Sequence, residues 1–305
     1  MPLTSKQQKQ ETELDKRFAN CQPISELLME RGITTIDEAE RFFHPSLGDM
    51  HDPFLLDGMA EAVDCINSVM GRKEKIRVFG DYDVDGTTAV ALVYKYLSNF
   101  YSNIDYYIPT RYDEGYGVSI PAIDAAAESG VKLIIILDCG VKAVEEIAYA
   151  KSKGIGFIIC DHHMADDKLP DAVAILNPKL EGSNYPFPHL SGCGVGFKLM
   201  QAFAISNGLD TSDLFALLDL VAVSIAADIV PMVGENRILA YHGLRRITSK
   251  PKSALRGIIR IRGLTATERT VRDLILKIER HNTHAARMPT ERDAVQLPVH
   301  THTPA

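Results

Sequence analysis

The strongest constraint on the fold is a regular alternation of short apolar runs with helix-like segments between residues 76 and 176. The five runs are rich in β-branched or aromatic side chains and read IRVF, IDYYI, KLIIIL, GFIIC and AVAIL. Helix-like segments separate the first four runs, and Gly130 and Gly154 stand where two of these helices should end. The alternation predicts an α/β fold, a doubly wound and mostly parallel sheet flanked by helices.

The segments on either side predict three regions. Residues 1–70 read as a helical N-terminal region, with Thr35 as a helix N-cap, and 71–232 as the sheet domain. Residues 233–305 read as a basic helical segment with a frayed tail. Over 241–280, eleven Lys and Arg residues stand against three acidic ones, although the whole chain carries a net charge of -7. Such a segment fits a phosphate polymer, and it equally fits a solvated helical face.

Composition predicts a cytoplasmic protein. The five cysteines are odd in number and widely spaced, which favours reduced thiols over a disulfide framework. The polar N-terminus resembles neither a signal peptide nor a membrane anchor. The longest apolar run, LLDLVAVSIAADIV, contains two aspartates, so we expect no membrane-spanning segment.

Acidic and imidazole side chains follow three successive predicted strands. In an open α/β sheet, binding sites form outside the carboxyl ends of the strands, so these groups should converge. Several ionised carboxylates are stable together only with a cation among them. Carboxylates with imidazole suit Mn²⁺, oxygen ligands alone suit Mg²⁺ better, and bridging carboxylates make a pair of ions plausible. The residues concerned are Asp81, Asp83, Asp85, Asp138, Asp161, His162 and His163.

Two other interpretations of the aspartates in DYDVDG account for fewer of these residues. DYDVDG resembles the start of an EF-hand calcium loop, but the ninth and twelfth positions of that loop would be Ala89 and Leu92. Asp85 or the threonines after it could cap the helix that begins near Gly86, which leaves the earlier aspartates unexplained. Asp228, near the end of an apolar helix in AADIVP, is a candidate remote ligand.

Two further segments are candidates for substrate binding. In LSGCGVGFKL, three glycines open a helix and Lys198 adds a positive charge, which is typical of a phosphate cradle. The loop RYDEGYG offers Arg111, Tyr112 and Tyr116 to a nucleotide, although a solvent-facing turn explains it equally well. The three cradle glycines are Gly192, Gly194 and Gly196.

The motifs DYDVDG, DCG and DHH, in this order, resemble those of the DHH phosphoesterase superfamily. The stretches IPTRYDEGYG, SGCGVGFKL and AADIVP resemble one branch of it, the RecJ-type 5′ to 3′ exonucleases specific for single-stranded DNA. The resemblance covers residues 25–278 and implies a nuclease of DNA repair and recombination with two Mn²⁺ or Mg²⁺ ions. By motif position it implies that His163 contacts the scissile phosphate and that Asp81 assists the attacking water or lies behind the ligands. The implied metal ligands are Asp83, Asp85, Asp138, His162 and Asp228, with Asp138 bridging the two ions.

The resemblance weakens after residue 278. RecJ-type enzymes continue into a phosphate motif of the form GPRINAAGRM, whereas this chain reads ERHNTHAARM, with Arg287 and Met288 in register. We therefore expect a second lobe to be missing or supplied by a companion chain, and exonuclease activity to be weak. Two other functions stay open, a phosphodiesterase of short oligonucleotides or small nucleotides and a non-catalytic nucleic-acid-binding protein. The sequence does not define the oligomeric state.

Overall fold

A computed structural model describes residues 5–17, 21–109 and 117–249 and divides the chain into two units, Met1–Met50 and His51–Ala305. The first unit contains helices α1 (Ser5–Arg17), α2 (Gln22–Glu30) and α3 (Ile36–Phe43), followed by a 3₁₀ turn at Leu47–Asp49. The hydroxyl of Thr35 accepts from the Glu38 amide, and the Glu38 carboxylate accepts from the Thr35 amide at 3.0 Å. This capping box confirms the predicted start of α3.

The second unit is built on a five-stranded sheet, all of it parallel, in the order β2-β1-β3-β4-β5. Val78 lies opposite Ile135, and Ile136 lies opposite Ile159. The three inner strands are buried on both faces, which explains why they read as continuous apolar runs. The predicted fold class is confirmed. The strands are β1 (Lys75–Gly80), β2 (Ile104–Tyr107), β3 (Val131–Leu137), β4 (Gly156–Cys160) and β5 (Ala174–Leu176).

Helices cover both faces of the sheet. Helices α6 and α7 pack on one face through side chains such as Ile123 and Ile147, which join Ile134 and Phe157 in one core. Helices α4, α5, α8 and α10 pack together against the other face. The helices of this unit are α4 (Met59–Gly71), α5 (Val84–Leu97), α6 (Ile120–Glu128), α7 (Val144–Ser152), α8 (Gly192–Ser206), α9 (Ser212–Phe215), α10 (Leu218–Ala227) and α11 (Gly234–Ser249).

The division between the units falls twenty residues before the domain boundary predicted at residue 70. Helix α4 belongs with the sheet because its apolar face, including Val63 and Ile66, is buried against β1, β3 and α8. Helix α11 packs on α10, so residues 234–249 are continuous with the sheet unit. No helix within the described ranges combines the length and apolar character that crossing a bilayer requires.

Candidate metal centre

The carboxyl ends of β1, β3 and β4 lie side by side, and the side chains that follow them meet around the ring of His162. His162 Nε2 lies 3.1 Å from Asp138 Oδ1, 3.8 Å from Asp85 Oδ2 and 3.7 Å from Asp228 Oδ2. Asp85 comes from the start of α5, and Asp228 is the C-cap residue of α10. Four elements that are distant in sequence thus contribute one nitrogen and three carboxylates.

The His162 ring is buried and neutral. Its pKa is lowered to about 4, first by burial and then by the positive charges of His163 and Lys179. A hydrogen bond to the Leu190 backbone acts on the ring in the opposite direction and only partly offsets these two effects. A neutral imidazole whose Nε2 faces three carboxylates has the protonation state of a metal ligand.

Asp85 is held by the start of α8. Its Oδ2 accepts from the Gly192 amide at 2.7 Å, and its Oδ1 accepts from the Cys193 amide at 2.7 Å and the Ser224 hydroxyl at 2.8 Å. Burial, followed by the charges of Asp83 and Asp228, raises the pKa of Asp85 to about 7. The amides fix the orientation of the carboxylate and offset part of its desolvation.

Asp138 follows β3 with a left-handed backbone, φ 61°. A Cβ atom added at Gly192 would lie 2.5 Å from Asp138 Oδ1, so only glycine permits this approach of α8 to the carboxylate. Burial raises the pKa of Asp138 well above its usual value, and the nearby carboxylates, Asp85 first, raise it further. Crowded carboxylates of this kind become stable as ions when a cation joins them.

The other two aspartates of DYDVDG occupy different positions. Asp83 is exposed and caps α5, its Oδ1 accepting from the Gly86 amide at 2.9 Å, so the helix begins at Val84 rather than near Gly86. Its charge raises the pKa of Asp85, Asp138 and Asp228, which places it beside the centre. Asp81 is 2% exposed. Among the described residues, neither aspartate joins the groups whose ligand atoms converge, so their predicted roles stay predictions.

His163 lies at the exposed rim of the centre and is oriented by Asp161. Its Nδ1 lies 2.7 Å from Asp161 Oδ1, an ion pair that raises the pKa of His163. The Asp161 carboxylate also accepts from the amides of His162, His163 and Val141. Burial acts to raise the pKa of Asp161, but the hydrogen bond with the His163 ring and those from the His163 and Val141 amides lower it overall. Asp161, expected among the strand-end ligands, instead holds His163 in place.

The predicted phosphate cradle is corrected by the structure. The amides at the start of α8 are taken by Asp85 and, at Gly194, by the Ser191 hydroxyl at 3.1 Å. Gly196 packs against Leu137 and Val93 in the core. Lys198 is fully buried, where its ammonium donates to Glu235 Oε1 at 3.0 Å and to the His51 carbonyl at 2.6 Å. Gly192 and Lys198 therefore hold internal groups, because the helix start is sealed before it reaches solvent.

Three contributors to the site carry no sequence signal of their own. Ser224, from the apolar helix α10, donates to Asp85. Asn177 follows β5, and its side chain donates to the His163 carbonyl at 2.8 Å and accepts from the Lys179 amide. For Asn177 and Lys179, the one indication in the sequence is their position after β5, which is parallel to β1, β3 and β4. Four predicted substrate-binding residues, Arg111, Tyr112, Tyr116 and Arg287, lie outside the described residues.

A cavity of ≈ 490 Å³ opens beside the centre. Its walls include Val118, Val141 and Glu146, together with Asp161 and His163. A group bound at the metal ligands therefore has space next to it for a neighbouring part of the same molecule. The ligand set itself fits Mn²⁺ or Mg²⁺. Among the described residues it consists of carboxylates and the neutral imidazole of His162, and it includes no thiolate.

Comparison with known proteins agrees with this geometry. Residues 75–225 match the DHH family, N-terminal domain. The chain is 40% identical over 240 residues to the single-stranded-DNA-specific exonuclease RecJ of Bacillus subtilis (strain 168), covering 79% of this chain and 30% of that protein. It is 35% identical over 262 residues to RecJ of Escherichia coli (strain K12), covering 82% of this chain and 45% of that protein. The chain thus spans less than half the length of these two relatives.

Two solved structures of RecJ are similar in fold to this chain. A crystal structure of exonuclease RecJ bound to manganese superposes with a TM-score of 0.71 at 29% identity, over 80% of this chain and 61% of that one. RecJ from Thermus thermophilus in complex with Mn²⁺ has the same fold, with a TM-score of 0.80 at 24% identity, over 96% of this chain and 41% of that one. Residues 75–225 of the chain thus form a domain of the DHH family.

Proposed function

We propose that the chain is a metal-dependent phosphodiesterase that removes nucleotides from the 5′ end of single-stranded DNA. The observation that carries the proposal is the convergence of Asp85, Asp138 and Asp228 on the neutral, buried imidazole of His162. The similarity to RecJ exonucleases supports single-stranded DNA as the substrate. We infer that such an activity serves DNA repair and recombination in the cytoplasm.

The metal ligands proposed are Asp83, Asp85, Asp138, His162 and Asp228, for two Mn²⁺ or Mg²⁺ ions. When bound, the ions would lower the pKa of a shared water to supply hydroxide and would polarise the phosphorus–oxygen bond. The amides of Gly192 and Cys193 keep Asp85 in a fixed orientation. Such supporting contacts typically change metal affinity by about 10- to 100-fold.

His163 is the residue proposed to contact the scissile phosphate. Because Asp161 binds Nδ1 and raises the pKa of the ring, the imidazolium form is favoured, and its positive charge would stabilise the phosphoryl oxygens. The cavity bounded by His163, Val118 and Val141 would take the nucleoside attached to that phosphate. Asp81, which is buried, is proposed either to assist the attacking water or to lie behind the ligands.

The experiment compares three substrates with Mn²⁺: 5′-labelled single-stranded DNA, the same sequence as a duplex, and bis(p-nitrophenyl) phosphate. The proposal predicts that labelled 5′ mononucleotide appears first, from the single strand only. Cleavage of the small diester alone would instead support a phosphodiesterase of small nucleotides. Binding of DNA without cleavage of any substrate would leave only a nucleic-acid-binding role.

Matched variants distinguish the loss of a carboxylate at the metal centre from the loss of a carboxylate elsewhere. Asp138→Asn removes one converging carboxylate and should abolish cleavage. Asp171→Asn removes an exposed carboxylate that pairs with Lys151. Asp171 precedes β5, at the amino-terminal end of the strands and away from the centre, so this variant should retain wild-type activity. Equal activity of the two variants would contradict the proposed role of the centre.

A further inference from the structure

A second cleft is lined by residues that follow the DHH motif and β5. It has a volume of ≈ 670 Å³, and its lining includes Met164, Lys179, Leu180, Tyr185, Pro188 and His189. Met164 directly follows the DHH motif and is 66% exposed. His163 lines the first cavity and the next residue, Met164, lines this cleft, so a strand bound at the metal ligands has two cavities near it.

Lys179 lines this cleft, and one side chain, Asn177, contacts the backbone of both Lys179 and His163. Asn177, which is 2% exposed, donates to the His163 carbonyl and accepts from the Lys179 amide at 2.9 Å. The positive charge of Lys179 also lowers the pKa of both His162 and Asp228, as expected for an ammonium that lies near these ligands. The backbone at Lys179 is thus coupled to the metal centre and does not belong to an independent loop.

The ammonium of Lys179 differs from those of three other lysines in this unit. Lys142 pairs with Asp166, Lys153 pairs with Asp124, and Lys198 pairs with Glu235. Within the described ranges, no hydrogen bond or ion pair involves the Lys179 ammonium. A cation next to several carboxylates, but not paired with them, is available to an anion that enters the cleft.

We propose that Lys179 binds the phosphodiester group next to the scissile one, so that the cleft of Met164, Lys179 and His189 carries the continuing DNA backbone. This inference rests on the proposed function and adds a second phosphate-binding position to it. Charge supports it, because a centre built from carboxylates repels a polyanion and requires cations on the path of the strand. Lys198, which the sequence predicts to bind phosphate, is buried, whereas Lys179 lines the cleft.

The test measures binding of a fluorescent single-stranded oligodeoxythymidylate to the full chain in EDTA, where no hydrolysis occurs, over a range of salt concentrations. Lys179→Ala should raise Kd about tenfold, the loss expected for one charge-assisted hydrogen bond. It should also reduce the slope of log Kd against log salt by about 0.7, the value for one phosphate contact on a single strand. Lys179→Arg should restore both quantities, and Lys132→Ala, on the amino-terminal part of β3, should change neither.

Hydrolysis of bis(p-nitrophenyl) phosphate locates the contact, since this substrate has a single phosphate. Lys179→Ala should raise KM for single-stranded DNA by a larger factor than KM for this small diester. Unchanged Kd and salt slope would overturn the inference, and so would an equal loss on the small diester, which would place Lys179 at the scissile phosphate. If the wild-type chain binds DNA but cleaves nothing, the proposed function fails while the binding comparison still decides the role of Lys179.

Discussion

At the scale of one residue, Gly192 lies between two carboxylates of the centre, and both can approach it because it has no side chain. Its amide donates to Asp85, and the space where its Cβ would stand is occupied by the carboxylate of Asp138. No L-residue satisfies both contacts without moving one of the two ligands.

The first prediction follows from this close approach. Gly192→Ala should displace Asp138 and weaken Mn²⁺ binding at least about tenfold, the size of effect seen when the supports of a metal ligand are disturbed. Isothermal titration calorimetry measures the affinity. Gly71→Ala is the matched control, because no atom lies within 4 Å of the added Cβ at that helix end. Equal Mn²⁺ affinity in the two variants would contradict the account.

Individual residues were predictable from the sequence to the extent that topology alone fixes their place. Asp85, Asp138 and His162 meet because parallel strands bring their carboxyl ends to one edge. The glycines before Lys198 predict a phosphate site, and the pairing of Lys198 with Glu235, 37 positions along the chain, leaves no sign in the sequence. Side-chain partners of this kind depend on packing between helices, which local sequence does not encode.

At the scale of elements, α8 connects the metal centre to the rest of the second unit. Its first turn binds Asp85, and its middle is tied to α11 through Lys198 and Glu235. Glu235 also accepts from the Tyr185 hydroxyl at 2.5 Å and from the His51 amide at 3.1 Å. A single buried carboxylate thus joins a helix, a loop and the start of the unit.

The second prediction concerns this buried ion pair. Lys198→Met should lower the free energy of unfolding by about 3–5 kcal/mol, because it leaves the Glu235 charge buried without its cation. Urea denaturation measures the change. The double variant Lys198→Met/Glu235→Leu should recover most of the loss, and Lys179→Met should stay within about 0.5 kcal/mol of wild type, as is usual for surface positions. A small effect of Lys198→Met on stability would restore Lys198 as a candidate ligand for substrate.

Elements were predicted more fully than contacts. Each of the five strands lies where the β-branched runs placed it, because buried parallel strands have a distinct composition. The apolar segment after Thr211, in contrast, reads as one helix and forms two, α9 and α10, which meet at Ala216 and Leu217. Nothing in the local sequence breaks the helix there, since neither glycine nor proline interrupts it.

At the scale of the whole molecule, the buried carboxylates link metal binding, folding and pH. The pKa of Asp85 is about 7 in the metal-free fold, above the value for an exposed aspartate. A folded-state pKa raised in this way contributes stability at low pH that is lost as pH rises toward 7, when the carboxylate must ionise inside the protein. A bound cation favours the ionised form and reverses that loss.

The third prediction is therefore that stabilisation by Mn²⁺ increases with pH. The rise in Tm on adding Mn²⁺ should be small at pH 5 and large at pH 8. Two pH units below its pKa, Asp85 is mostly protonated, which weakens binding by about 100-fold. Thermal denaturation at both pH values, with and without Mn²⁺, checks this expectation. An equal rise in Tm at pH 5 and pH 8 would show that buried carboxylates do not control the ion.

The central claim is that the strand-end carboxylates and His162 tolerate one another because divalent cations lie among them. The most direct measurement is a titration of the full chain with Mn²⁺ at pH 8, in which electron paramagnetic resonance quantifies the free ion. We predict that two ions bind per chain, that Asp138→Asn and His162→Ala each reduce this number, and that Asp171→Asn preserves it. A folded wild-type chain that leaves all of the Mn²⁺ free would contradict the account.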